Sequence, residues 1–162
     1  MSMTGKDNPE KVGAEEKLTL RPIEILDLEQ VLQIEMASYS SPWRLEDFFR
    51  EITYNQLARY FLAESGERVA GFVGMWLVID EAHITNIAVS PDFRRKGIGE
   101  KLLCYAVEEA IRSGSRVCIL EVRVTNYRAQ NLYLKHGFRY AGMRKAYYRD
   151  NNEDAFLMER EL

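Results

Sequence analysis

One run in the second half of the chain constrains the fold more than any other: a strand, a long one-faced helix and a second strand in direct succession. His83 to Val89 reads as the first strand, ended by Ser90-Pro91. Ile98, Leu102, Leu103, Ala106, Val107, Ala110 and Ile111 then fall on one helical face, closed by Gly114. Arg116 to Val122 is the second strand. Val117 and Ile119 face one side of it and Cys118, Leu120 and Val122 the other, so both faces are expected to be buried.

The remaining residues extend this plan. Leu18-Thr19-Leu20-Arg21 is a short strand stopped by Pro22, whose ring removes a backbone donor. Leu28, Val31, Leu32 and Met36 recur at helical spacing to about Tyr39; Ser40-Ser41-Pro42 breaks that helix, and a shorter one runs from Arg44 to about Thr53. Tyr60 to Ala63 and Val69 to Val78 form strands joined at Ser65-Gly66. Tyr127 to His136 is a helix capped at Gly137, and Phe138 to Tyr148 and Ala155 to Leu162 are antiparallel strands around Asp150-Asn151-Asn152. The expected fold is α/β with a mixed sheet, in the order β-α-α-β-β-β-α-β-α-β-β.

A chain of 162 residues with 46% hydrophobic and 29% charged residues fits one domain with one core. Residues 1–17 carry Gly5, Pro9, Gly13 and many charges, and read as a flexible tail before a single domain over 18–162. A formal charge of -3 argues against a nucleic-acid binder that relies on a basic field. No apolar run approaches the roughly 20 residues that span a bilayer. The polar start lacks the apolar core of a signal peptide, so a cytoplasmic location is expected. Cys104 and Cys118 sit in apolar segments and read as buried thiols rather than a disulfide framework.

Between the strand ending at Val89 and the long helix lies Arg94-Arg95-Lys96-Gly97-Ile98-Gly99. Glycines without Cβ let a ligand approach the backbone, the first helical N–H groups lack intrahelical partners, and three basic side chains add positive charge. Together they suit a pyrophosphate. A Walker loop would need Ser or Thr after Gly-Lys, and a dinucleotide fingerprint would need Gly where Leu102 stands. Taken alone, a basic surface turn that starts a helix fits equally well.

The arrangement Arg94-x-x-Gly97-x-Gly99 behind Asn86-Ile87-Ala88-Val89 resembles the signature of the GNAT acetyltransferase superfamily. Leu120-Glu121-Val122-Arg123, Thr125-Asn126, Ala129, Leu132-Tyr133, Gly137-Phe138, Pro42-Trp43 and Tyr147-Tyr148 are, in that set, similar to RimI-type ribosomal-protein-alanine N-acetyltransferases. The resemblance covers nearly everything after the tail. It implies that residues Arg94 to Gly99 hold the pyrophosphate of acetyl-CoA. It also implies that Ile87, Ala88 and Val89 lie along the pantetheine arm, and that Asn126, an N-cap on its own reading, touches that arm.

Acetyl transfer to an amine requires a base, a polarised thioester carbonyl and a proton for the departing thiolate. Glu121 is the candidate base: it shares a strand face with Val117 and Ile119, and apolar neighbours are expected to raise its pKa. Tyr133 is the candidate acid, because a phenol near pKa 10 lies within reach of a thiol near 8.5. A backbone N–H near Val89 would polarise the thioester carbonyl. The amine attacks directly, so no covalent intermediate on Cys104 is required.

No metal site is expected, since His83 and His136 stand apart without companion ligands at zinc spacing. Tyr39, Trp43, Tyr147 and Tyr148 are placed by the resemblance at the acceptor entrance, although aromatic rings in such positions equally suit a core. Glu35 could attract the incoming ammonium, but reads first as a solvent-facing helix carboxylate.

Neutralising a lysine at pH 7 costs about 3 kcal/mol more than neutralising an α-amine, which favours a protein N-terminus as acceptor. The resemblance implies the N-terminal alanine of a small-subunit ribosomal protein. A broader acetyltransferase of other N-termini or lysines, or an acyl-CoA-binding module without turnover, are the alternatives. The module has no use for Glu121 and Tyr133 together.

Overall fold

The computed structural model describes residues 17–162, so the expected tail lies outside the described residues except for Lys17. Its strands are β1 (Leu18–Pro22), β2 (Ala58–Ser65), β3 (Arg68–Val78), β4 (Glu81–Val89), β5 (Val117–Arg123), β6 (Arg139–Tyr148) and β7 (Glu153–Glu161). Its α-helices are α1 (Leu28–Ser38), α2 (Leu45–Tyr54), α3 (Ile98–Arg112) and α4 (Tyr127–Lys135). The order along the chain is the one the sequence predicts, and the matching ends agree within a few residues.

All seven strands form one sheet in the order β1-β2-β3-β4-β5-β7-β6. Every neighbouring pair is antiparallel except β4 and β5, which run parallel across the α3 connection. Parallel neighbours need such a crossover, because a tight turn cannot reverse the chain twice.

Each face of the sheet carries its own core. On one face, Leu102, Leu103, Ala106, Val107 and Ala110 of α3 pack on Phe61, Val73, Met75, Ile84, Leu120 and Met158. On the other, Val31 and Ile34 of α1 and Phe48 of α2 pack on Tyr60, Leu62, Phe72 and Ala88. Phe48 meets Phe72 edge to face at 5.7 Å and is fully buried, worth about 1.5–3 kcal/mol of apolar transfer.

Three expectations about burial need correction. Met36 and Ile111 are exposed, because the buried stripe of α1 runs through Leu28, Val31, Ile34 and Glu35, and α3 turns Ile111 past the sheet edge of its stripe. In β5, Cys118, Leu120 and Val122 are buried, but Val117 and Ile119 are only partly covered. Among the described residues, the second face of β5 is covered less completely than the face under α3, and Glu121 lies on it at the site described next.

Candidate active site

The site begins with a break in the sheet. Pairing between β4 and β5 runs from Glu81↔Val117 to Ile84↔Leu120 and stops there. The register of β4 against β3 jumps from Gly74↔Asn86 to Met75↔Ile84, so Thr85 is an extra residue. Such a bulge bends its strand, and here β4 leaves β5 beyond it. Ser90 N–H donates to Ala70 O at 2.8 Å toward β3, so strand alternation turns the backbone groups of Val89 and Ile87 into the opening and those of Ala88 toward β3. The Tyr39 hydroxyl donates to Ile87 O at 2.8 Å, and Arg94 Nε donates to Val89 O at 3.0 Å. An extended polar ligand placed in the opening meets backbone donors and acceptors there as a strand would.

The next part of the site is the start of α3. Lys101 N–H donates to Gly97 O at 3.1 Å as an early helical bond, which leaves the N–H groups of Ile98, Gly99 and Glu100 ahead of it without intrahelical acceptors. Gly97 has φ 75, a left-handed conformation that glycine adopts without strain, and a Cβ there would meet nothing within 4 Å. Glycine is therefore needed for the turn itself, and the space above it is open. Arg95 and Lys96 are exposed, and Lys96 Nζ lies over the Phe93 ring at 5.4 Å. Arg94 also reaches Ser38 Oγ at 3.3 Å, tying the turn to the end of α1.

Glu121 stands where β4 and β5 part, with its side chain 7% exposed. His83 Nε2 lies 2.6 Å from Oε2, and Arg144 Nε lies 3.0 Å from Oε1. Burial alone pushes this carboxyl up. The hydrogen bond and charge of His83, with Arg144, outweigh it and hold Glu121 below the ordinary carboxylate range. The expected raised pKa is thus corrected: the apolar strand face is real, but two basic side chains from β4 and β6 close on the carboxylate.

Tyr133 of α4 is buried, and burial, with Tyr148 nearby, pushes its phenol well above 10. It therefore stays protonated at any working pH and holds its proton more tightly than a free tyrosine. Tyr39 is raised by burial first and then by Glu35 and Tyr133, while burial pushes Tyr148 up to about 12. Tyr147 is raised by burial and by Glu121, and packs on Tyr148 at 5.1 Å. The structure thus brings Glu121, Tyr133, Tyr39, Tyr147 and Tyr148 into one neighbourhood. Asn126 caps α4, its Oδ1 accepting from Ala129 N–H at 3.2 Å. Trp43 packs on Phe48 at 5.3 Å, so its ring belongs in part to the core under the α1–α2 connection.

Glu35 is a further correction. It is 3% exposed, because the chain that turns at Ser40-Ser41-Pro42 leaves the Trp43 N–H to be satisfied, and Glu35 Oε1 accepts it at 3.2 Å. Burial pushes its carboxyl up against that single bond. Ser40 of the same connection bonds Asp150 in the β6–β7 turn, and Arg123 holds Asp150 at 2.9 Å and Glu153 at 3.1 Å while lying 3.9 Å over the Tyr148 ring. These contacts join α1, β5 and the β6–β7 turn around the opening.

Sequence reasoning missed His83, Arg144 and Asp150 as parts of this site. Only His83 carried a local signal, as a histidine inside a strand next to the glycine turn. His136 lies elsewhere, with Nε2 at 2.7 Å from Glu100 and Nδ1 at 3.6 Å from Cys104. Cys118 is buried with its thiol pushed up to about 12, whereas Cys104 is only partly covered. Among the described residues, no group of three or more His, Cys, Asp and Glu side chains suits a metal ion.

Comparison with known proteins agrees with this geometry. The model of the Acetyltransferase (GNAT) family matches residues 28–138, from the start of α1 to the end of the α4 turn. The chain is 37% identical over 145 residues to the ribosomal protein bS18-alanine N-acetyltransferase of Escherichia coli (strain K12), covering 86% of this chain and 95% of that protein. It is 42% identical over 142 residues to a Bacillus subtilis (strain 168) protein that carries the same activity provisionally in its name, covering 88% and 94%. The crystal structure of the Escherichia coli ribosomal-protein-S18-alanine N-acetyltransferase superposes with a TM-score of 0.82 at 33% identity, covering 90% of this chain and 94% of that one. Ard1 from Thermoplasma volcanium superposes with a TM-score of 0.81 at 26% identity, covering 90% and 97%. A parted parallel strand pair, a glycine turn opening α3 and a match over most of the chain lead to one conclusion: this protein belongs to the GNAT acetyltransferase family and is an acetyl-CoA-dependent N-acetyltransferase.

Proposed function

We propose that this enzyme acetylates the α-amine of an N-terminal alanine in the cytoplasm, and that its acceptor is ribosomal protein bS18. The observation that carries this reading is the extent of the likeness to the Escherichia coli enzyme named for that acceptor. It spans 86% of this chain and 95% of that protein, so donor and acceptor sides both fall within it.

In this reading the N–H groups of Ile98 and Gly99, at the turn made by Gly97, take the pyrophosphate with the charges of Arg94, Arg95 and Lys96. The backbone of Ile87 and Val89, flanked by Ala88 and Asn126, lines the pantetheine arm. Val89 N–H faces the opening and polarises the thioester carbonyl. Glu121 takes the proton of the attacking amine, the N–C bond forms as the C–S bond breaks, and Tyr133 protonates the thiolate. Tyr39, Trp43, Tyr147 and Tyr148 flank the incoming chain.

The test is side-by-side kinetics on Ala-starting, Met-starting and internal-lysine peptides, with a peptide copying the bS18 N-terminus among them. The bS18 peptide is expected to react at the highest kcat/KM. Preference for the Met-starting or lysine peptide would replace this acceptor with a broader one.

A further inference from the structure

Glu100 is the third residue of α3, and the N–H groups that open this helix are those assigned to the pyrophosphate. A glutamate at that position ordinarily folds back to accept from the N-cap N–H, and the helix dipole favours a carboxylate there. Elsewhere in the chain, aspartates do this at two helix starts. Arg44 N–H donates to Asp47 Oδ2 at 2.9 Å at the start of α2, and Glu24 N–H donates to Asp27 Oδ2 at 2.8 Å in the short turn ahead of α1. A carboxylate folded back in the same way on α3 would occupy the place, and the donors, that a phosphate needs.

Glu100 is instead drawn aside by two side chains from the end of α4. Lys135 Nζ lies 2.8 Å from its Oε1, and His136 Nε2 lies 2.7 Å from the same oxygen. Lys135 is the last residue of α4 and His136 its C-cap, at the end of the helix where the dipole favours positive charge. Lys135 first, and then His136, hold the Glu100 carboxyl below the ordinary carboxylate range, so it is ionised at neutral pH. Lys135 is exposed, and an ion pair open to water is worth about as little as the capping contact it displaces. A single grip would leave that contest close. Two grips on one oxygen decide it.

We propose that Lys135 and His136 are positioning residues for the donor: they hold the Glu100 carboxylate off the N-terminus of α3 and keep that site free for the pyrophosphate of acetyl-CoA. Both act through Glu100. Released, Glu100 is an internal competitor of the phosphates, a negative charge on a short tether beside the N–H groups they use. The helix that carries Tyr133 thereby also clears the seat of the donor. The proposal rests on the reading of the turn from Arg94 to Gly99 as the pyrophosphate seat.

The experiment compares the full chain with Glu100→Gln, with the pair Lys135→Met and His136→Gln, and with all three substitutions together. Calorimetry at low salt gives the affinity for CoA, and kinetics give KM for acetyl-CoA and for S-acetylpantetheine, which lacks the pyrophosphate. The paired variant is expected to lose about three- to tenfold in CoA affinity and in KM for acetyl-CoA, the effect of turning one carboxylate onto a helix N-terminus. Its KM for S-acetylpantetheine should stay within about twofold, since that donor brings no phosphate to compete for those N–H groups. Glu100→Gln should bind CoA at least as tightly as the parent, and adding it to the paired variant should restore the affinity. A clamp that served only to tie α3 to α4 would be lost in Glu100→Gln as well, and no rescue would follow. Unchanged CoA affinity in the paired variant, a loss without rescue, or an equal loss with both donors would overturn the proposal. A parent enzyme with the same KM for S-acetylpantetheine as for acetyl-CoA would remove the seat itself, and the proposal with it.

Discussion

Arg144 reaches from β6 to place its Nε 3.0 Å from Oε1 of Glu121, on the oxygen that His83 leaves free. A positive charge at that distance favours the ionised carboxylate. Arg144→Met should therefore move the acidic limb of kcat/KM to higher pH. The shift is expected to be small, because the arginine is half exposed and water screens its charge. A pH profile of the variant that superposes on the parent would show that Arg144 acts only on shape.

Tyr133 sits in the core with its phenol pushed up by burial, so in the proposed acid role it meets the thiolate protonated. Tyr133→Phe keeps the ring packed on Phe138, which lies 5.8 Å away, and removes only the hydroxyl. We expect kcat to fall about tenfold or more while KM for acetyl-CoA stays within about twofold. A continuous assay of CoA release, with acetyl-CoA varied at saturating peptide, separates the two constants.

Gly74 lies where β4 bulges. A Cβ on it would meet Asn86 Oδ1 at 2.4 Å and Tyr60 Cε1 at 2.4 Å, and the Tyr60 ring is buried and cannot swing away. Gly74→Ala is expected to destabilise the fold by about 1–3 kcal/mol through overpacking. Urea unfolding gives the value, and a loss under about half a kcal/mol would mean that β3 and β4 separate at the bulge with little resistance.

The Arg123 network has a pH window of its own. Glu153 is lowered to about 2, first by the Thr125 hydroxyl and then, against burial, by Thr125 N–H and Arg123. Asp150 is lowered as well, by Ser40 and Arg123. Carboxyls depressed on folding stabilise the folded state above their unfolded values and lose that contribution as pH falls through the folded ones. The thermal midpoint should therefore drop as pH falls from about 5 toward 2, and Glu153→Gln should flatten that drop. Scanning calorimetry at stepped pH reads both slopes.

The parts of the fold legible in the sequence were those set by local periodicity. The stripe of α3, the alternation in β5, and the capping of α4 by Asn126 each depend on residues within a few positions of one another. The insertion of β7 between β5 and β6 carries no local mark, because strand pairing is decided by what remains to be covered. Glu35 was misplaced for a related reason: an exposed carboxylate is the ordinary outcome on a helix, and only the unpaired N–H of Trp43, arriving after a turn, draws it inward. The sign of the Glu121 shift was out of reach too, since it is set by His83 and Arg144, which lie 38 positions before it and on a later strand. Proximity of the proposed catalytic residues could be inferred from a family likeness; the charges around them could be read only in three dimensions.

The four rungs that join β4 to β5 are a seam between two smaller antiparallel sheets, β1-β2-β3-β4 on one side and β5-β7-β6 on the other. A seam that short is a natural place for the molecule to flex. A donor held as proposed, along Ile87 and Val89 and beside Asn126, would touch both halves and act as a fastener as well as a reagent. By mass action, a ligand at a hundredfold excess over its Kd adds about 2.7 kcal/mol to the folded state. Much of that gain would be felt at the seam, so that loading the donor stiffens the surface on which the acceptor must land, and releasing it loosens the grip on the product.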